Sequence, residues 1–301
     1  SVDTEKAGLW EGGRFYLYMV GTYGMNPSLY VGDFQFTDNI EWTDGFRFNE
    51  VYYDHTFGES GLSWNAGLLD YWSDFYRLRS SYNMLQSSFQ IGIDVSQVPP
   101  SLYPITSLGS RVSYQIDDRV YAKAAVYDGV FVAGETGWQA PTDEVARKIA
   151  IGGWYRSTDY VDTSGTERNS NHGAYLIGEQ QLYAETDDPT QGLIMFAEIG
   201  YAQSDRNIFS NYFGGGFAYQ GLFPGRDADG TFFGVASARS GHRHRNAVPD
   251  SSLTETAIEL SHRFQITPFF AVQPDIQYVI DPGPTSIPDA WFMALRTELL
   301  L

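Results

Sequence analysis

From Thr254 the chain reads TETAIELSHRFQITPFFAVQPDIQYVIDPG, and it closes on AWFMALRTELLL. Apolar and polar residues alternate, broken by a turn at Thr267-Pro268. Side chains of a strand point to opposite faces with a period of two. Ile258, Leu260, His262 and Phe264 therefore share one face, and Ala257, Glu259, Ser261 and Arg263 share the other. The pattern predicts a hairpin with one greasy face and one charged face. A soluble sandwich also produces such a hairpin. Repetition of the pattern along the whole chain points instead to an outer-membrane barrel.

The alternation predicts strands at roughly Gly13–Tyr23, Phe46–Phe57, Gly61–Asp70, Gly109–Ile116, Arg119–Asp128, Lys148–Ser157 and Gly173–Ala184. It continues with Gly192–Gln203, Phe209–Gly221, Thr231–Arg239, Thr254–Gln265, Phe269–Ile280 and Ala290–Leu300. Each is about as long as a tilted strand needs to cross a bilayer. The connections IDD, TDDPTQ and ITP read as short turns, and Phe131–Arg147, Thr158–Asn171 and Ser240–Ser252 as longer polar loops. Short turns on one rim and long loops on the other is the outer-membrane arrangement. The fold class expected is all-β: a transmembrane antiparallel barrel of about 16 strands in the full protein, with 13 or 14 readable here, because single-chain bacterial barrels use even numbers. No linker, charge block or solenoid repeat divides residues 1–301, so one barrel domain is expected.

One segment breaks the pattern. Ser73–Asp94 carries Asp74, Tyr76, Arg77, Arg79, Tyr82, Asn83 and Gln86 without clean alternation. Irregular backbone at membrane depth is tolerated only where it lines a cavity or is buried in protein. An inward-folded constriction loop fits that rule. An ordinary surface loop is the competing reading.

Composition adds limits. Aromatic residues make up 16 % of the 301 positions, with 21 Tyr and 20 Phe, which suits strands and interfacial girdles. There is no cysteine, hence no disulfide framework and no thiolate chemistry. Mean hydropathy is −0.30, and no run of about 18 apolar residues exists. A β-barrel hides its membrane signal in alternation, so neither fact excludes a membrane. The formal net charge of −18 argues against nucleic acid, which demands a basic surface. It speaks for solubility first, and beyond that for a lumen favouring cations or neutral solutes. The opening SVDTEKAGLW has neither the basic start nor the apolar core of a signal peptide. The expectation is a leader already removed, or residues missing ahead of it.

At this point the sequence resembles the bacterial carbohydrate-selective porins. FRFNEVYYDHTF, GLSWNAGLLD, SDFYRLRSSYNMLQSSFQIG, VYAKAAVYDG, IAIGGWYRS and GLFPGRDAD carry the likeness, and ELSHRFQITPFFAVQPDIQYVIDPG carries it furthest. The resemblance runs from about Gly13 to Leu300. It implies a sugar-conducting pore with Ser73–Asp94 as its inward constriction, in the outer membrane among lipid and lipopolysaccharide. Three departures stand out. Two strands expected ahead of Gly13 are not seen, the strand count is odd, and the chain ends on Leu301 where such barrels commonly end on an aromatic residue.

Alternation also assigns the lumen. A lipid-facing charge near midplane costs about 2–4 kcal/mol for Arg or Lys, so charged positions are placed inward. The candidate pore-lining and constriction residues are Glu50, Tyr52, Asp54, Asp74, Arg77, Arg79, Arg111, Lys123, Trp154, Arg156 and Glu198. Cross-strand pairing that stiffens the wall would place any one of them equally well. A sugar offers hydroxyls at its edges and C–H groups on its faces, so its pore wants aromatic platforms beside hydrogen-bonding groups. By phase Trp64 joins Leu62 and Leu68 outside, leaving Trp154 inside with Arg156. Arg77 and Arg79 are expected to face Glu50 and Asp54 across the lumen.

Other motifs carry less. His242-Arg243-His244-Arg245 has His-x-His spacing but no further ligands, and reads as an exposed basic loop. Asp227-Ala228-Asp229-Gly230 opens like a calcium loop, yet Ala238 stands at the closing position, so a turn after Pro224-Gly225 is expected. No glycosidase carboxylate pair or Gly-x-Ser-x-Gly appears. No cofactor, metal or enzymatic activity is expected. The reading is a passive channel for sugars or similar small polar solutes. A plugged or structural barrel, subunit of an envelope complex, and a soluble β-rich module are the alternatives, and a homo-oligomer or protein partner remains open.

Overall fold

The structure is a computed structural model that describes residues 1–98, 101–141, 146–161, 166–248, 251–283 and 287–300. A short strand β1 (Val2–Asp3) precedes the long strands β2 (Gly13–Thr22), β3 (Gly45–Thr56), β4 (Leu62–Leu69), β5 (Ser107–Gln115), β6 (Val120–Tyr127), β7 (Phe131–Gln139) and β8 (Arg147–Arg156). A small ribbon, β9 (Tyr160–Val161) and β10 (Glu167–Arg168), follows. The wall resumes with β11 (Asn171–Ala184), β12 (Gly192–Ala202), β13 (Phe209–Gln220), β14 (Gly230–Ser240), β15 (Thr254–Thr267), β16 (Phe270–Ile280) and β17 (Ala290–Leu299). Apart from the ribbon, all strands form one 15-stranded sheet in which neighbours in sequence are neighbours in space. Every pairing is antiparallel. This is the meander of a transmembrane barrel, in which short hairpins satisfy the backbone strand by strand.

The expected strands are all present; the sheet adds the short β1 and also β7, and the β9–β10 ribbon lies in the expected loop Thr158–Asn171. Phe131–Gln139 lies in what the sequence suggested was a polar loop. Gly134 and Gly137 interrupt its alternation, and Thr136 carries its outward phase. The stronger signal was the turn before it. Asp128 and Gly129 both adopt positive φ, 48° and 69°, and the Val130 N–H donates to the Tyr127 carbonyl. Asp-Gly with both residues at positive φ is the preferred tight hairpin turn. The part of that expected loop at residues 142–145 lies outside the described residues, as does Leu301.

The wall has the two faces expected. Leu62 pairs with Tyr114 and Trp64 with Val112, while Ile258 pairs with Tyr278, Leu260 with Ile276 and Ile276 with Met293. These residues belong to the outward phase, and none of them, nor Ala66 or Leu295, is buried. Glu255, Glu259, Gln273, Asp275 and Gln277 take the other phase and are buried. A charged side chain buried on the concave face of a sheet needs protein to cover it. Two long connections supply that cover. One runs from Tyr23 to Asp44 and includes α1 (Ser28–Val31); the other runs from Asp70 to Thr106 and includes α2 (Tyr71–Asp74) and α3 (Ile93–Ser96).

The hydrophobic core lies inside the barrel. Tyr71, Phe75, Met84, Phe89 and Val95 of the second connection pack with Tyr127, Phe131, Trp154, Phe196 and Phe232 of the wall. Burying each large apolar side chain contributes about 1.5–3 kcal/mol.

Candidate functional site: the lumen and its inward segments

The inward segments are fastened by the wall's glutamates. Glu135 accepts from the Tyr76 N–H, Glu179 from the N–H groups of Arg79 and Ser80, and Glu259 from those of Leu85 and Gln86, all at 2.8–3.0 Å. Glu255 does the same for Phe34 and Gln35 on the first inward segment. Irregular backbone leaves N–H groups that no strand satisfies, and a carboxylate accepts two of them strongly. Lysines and an arginine hold the carbonyls. Lys123 donates to the Asp74 carbonyl, Lys148 to that of Arg77 and Arg156 to that of Val98, each at 2.8 Å. These four glutamates, of the chain's 37 acidic residues, are thus structural anchors.

The structure sorts the candidate residues accordingly. Asp54 ion-pairs with Arg14 and Arg111 at 3.7 Å, and Arg111 reaches Asp74 at 3.1 Å. The expected facing of Arg77 and Arg79 with Asp54 is therefore replaced by a pairing within the wall. Tyr52 stacks on Tyr16 at 5.0 Å. Trp154 is 3 % exposed and stacks on Phe131, so the inward segment covers it and it offers no platform. Glu198 is fully buried beneath α3. Arg156 and Lys123 act as carbonyl anchors. Glu50, Arg77 and Arg79 line open space.

That space is two cavities. One, about 690 Å³, reaches the short-turn rim at Gln139, Arg147, Thr190 and Gln220. The other, about 620 Å³, lies among Tyr16 and Tyr18 of β2, Arg296 and Glu298 of β17, and both inward segments. Arg77, Tyr82 and Asn83 line both. The Arg77 guanidinium lies 4.7 Å from the Trp72 ring centre and 5.5 Å from that of Tyr82, and the two rings stack at 5.6 Å. Among the described residues Arg77 has no carboxylate partner within ion-pair distance. The Trp72 indole is fixed by its N–H bond to the Gln90 carbonyl at 2.8 Å. Arg296 and Glu298 are both engaged, with Asp38 and Arg263 at 2.7 Å. Asp70, beside Glu50, caps α2 through the Trp72 N–H; burial, with the Glu50 charge second, pushes its carboxyl up to about 7.

Trp72 escaped the sequence reading because it belongs to no strand phase. Glu135 was missed because its strand was. Glu259 was visible on the charged face and Glu179 was not singled out; only the folded segment shows which N–H groups they serve.

The remaining motifs resolve simply. His242–Ala247 is a short helix, α4, with His244 buried rather than exposed. Asp229 closes the expected turn by a two-pronged pair with Arg226 at 2.7 and 2.8 Å.

A barrel with an inward segment of this kind has known counterparts. The family model described as carbohydrate-selective porin, OprB family, matches residues 1–139 and 128–300. The chain belongs to the OprB family. Porin B of Pseudomonas aeruginosa is 29 % identical over 234 residues, covering 60 % of this chain. The chain spans about half of Porin B, 52 % of its length. The protein named putative porin QuiX of Acinetobacter baylyi is 21 % identical over 84 % of this chain and 69 % of its own. The structure of OprB from Pseudomonas putida superposes with a TM-score of 0.89 at 20 % identity, covering 99 % of this chain and 85 % of that one. The channel DcaP of Acinetobacter baumannii gives 0.54 at 9 % identity. These likenesses place this OprB-family chain among outer-membrane β-barrels.

Proposed function

We propose that the protein is an outer-membrane channel for passive diffusion of sugars or similar small polar solutes, and that Arg77, Trp72, Tyr82 and Asn83 form its selective point. The observation that carries this is the sharing of Arg77, Tyr82 and Asn83 by the two cavities. A solute moving between them passes these side chains. The chemistry suits a sugar: a fixed indole and a phenol ring present π-faces to C–H groups, while the guanidinium fork and the Asn83 amide reach hydroxyls. Arg77 lies over the rings, and Glu50 and Asp70 act on it only from beyond ion-pair distance, so its donors are not committed to an ion pair. Lipid and lipopolysaccharide would surround the outward phase, and the chemistry proposed is transport rather than catalysis.

A plugged barrel is a second reading, favoured by how fully the two inward segments fill the interior. Liposome swelling separates the two. Purified protein should admit a monosaccharide, and Trp72→Ala should reduce its preference over a polyol of similar size lacking a ring. Vesicles that swell no faster than protein-free controls would mean a closed barrel.

A further inference from the structure

The strongest unexplained feature lies where α3 meets β12 and β13. Asp94 is fully buried, and neither of its carboxylate oxygens has a hydrogen-bond partner. Glu198 of β12 is fully buried too; its Oε1 has no partner, and its Oε2 lies 3.4 Å from the Tyr212 hydroxyl. Tyr76, held at a positive φ of 60°, buries a hydroxyl without a partner. The Tyr212 hydroxyl donates to the Ser88 carbonyl at 2.6 Å.

Three glycines make room for this cluster. A Cβ on Gly200 would lie 2.1 Å from the Asp94 carboxylate. One on Gly92 would lie 2.4 Å from Asp94 and 2.5 Å from the Tyr76 hydroxyl, and one on Gly214 would lie 3.0 Å from Glu198 and 2.4 Å from the Tyr212 hydroxyl. The two acids and two phenols are therefore gathered on one patch of wall, under the inward segment.

The groups near Asp94 are Glu198 from β12, Tyr212 from β13, and Tyr71, Tyr76 and the Asp94 and Val95 N–H groups from its own segment. Glu179 of β11 lies beyond, bound to Arg79 and Ser80 N–H groups, and Tyr175 of β11 packs on Tyr76 at 4.6 Å. Glu135 of β7 accepts the Tyr76 N–H. No ion pair reaches Asp94 or Glu198 among the described residues. An ionised carboxylate buried without a cation is strongly disfavoured, and it neutralises instead. A neutral carboxyl has a proton to donate to its neighbouring carboxyl, whereas the donors beside Asp94, the Tyr76 hydroxyl and the Asp94 and Val95 N–H groups, carry no charge to balance an ionised one.

We propose that Asp94 and Glu198 form a protonation latch: neutral, they dock the inward segment onto β12 and β13, and ionised, they loosen it. Burial pushes the Asp94 carboxyl up to about 7 in the docked state. A free carboxyl titrates near 3.9. Docking is then fully supported below about pH 4, weakens as pH rises, and has lost this support above about 7. The narrow point between the cavities is carried by the same segment and becomes more mobile in alkali.

Hydrogen exchange of the α3 amides, Val95 to Gln97, tests this in detergent-solubilised full chain. Rates corrected for intrinsic chemistry should rise on the order of tenfold or more between pH 5 and pH 8. The docking constant falls about tenfold per pH step of one wherever the free carboxyl is ionised and the docked one is not. In D94N/E198Q, which keeps the shape and abolishes titration, the rates should stay flat. Unchanged wild-type rates across that range would overturn the latch, even if the double variant failed to fold. So would a wild-type pH profile retained by the double variant. The readout is independent of whether the pore conducts sugar.

Discussion

At the level of single residues, the lumen is governed by what each buried carboxylate accepts. Glu259 shows the principle. It serves the N–H groups of Leu85 and Gln86, and it receives the Ser261 hydroxyl as well. Glu259→Ala should leave two buried N–H groups unpaired, at about 1–3 kcal/mol each. Amide exchange at Leu85 and Gln86 should rise, while exchange in β15 itself stays protected by its ladder with β14 and β16. Equal protection in variant and wild type would show that the glutamate is not the anchor. The sequence could place Glu259 inward by its phase opposite Leu260. It could not say that its partner was a backbone some 170 positions earlier, because an N–H group has no signature in side-chain identity. Trp154 is the mirror case: correctly inward by phase, yet covered by a segment whose path only folding reveals.

At the level of elements, alternation read the strands well because one face meets lipid and the other the lumen. It failed at β7, where Gly134 and Gly137 carry no side chain to alternate. The inward segment was legible only by default, as the stretch without a period. Its companion, Tyr23 to Asp44, gave no signal until Glu255 and Gln277 were seen to hold it. The two segments also hold each other, through the Asn39 N–H to the Leu85 carbonyl and the Ser87 N–H to the Phe36 carbonyl. Deleting Arg77 to Gln86 removes the shared lining of both cavities and the donors to Glu179 and Glu259. Unitary conductance should rise and any sugar block weaken, with the barrel still folding because its strands pair without this stretch. The same conductance after deletion would place the limiting constriction elsewhere.

At the level of the whole molecule, an acidic chain and a polar interior coexist with an apolar outer wall. Spin labels at Val112, Tyr114, Leu260, Met293 and Leu295 should be accessible to oxygen and shielded from aqueous quenchers, whereas a label at Thr190 on the turn rim should show the reverse. Protection from oxygen at the first set would contradict a lipid-facing wall. The net charge of −18 suggested a cation-preferring lumen, yet several of its acids are spent on backbone N–H groups. Any cation preference should therefore be weak, and it should fade as added salt screens it. The most direct measurement is single-channel conductance in a planar bilayer with graded monosaccharide, for wild type and for Arg77→Ala. The expected result is an open channel whose current falls with added sugar, with the block weakened in the variant and the unblocked conductance not reduced. A channel that carries ions but is indifferent to sugar in both proteins would contradict the assignment of Arg77 and its aromatic neighbours as the selective point.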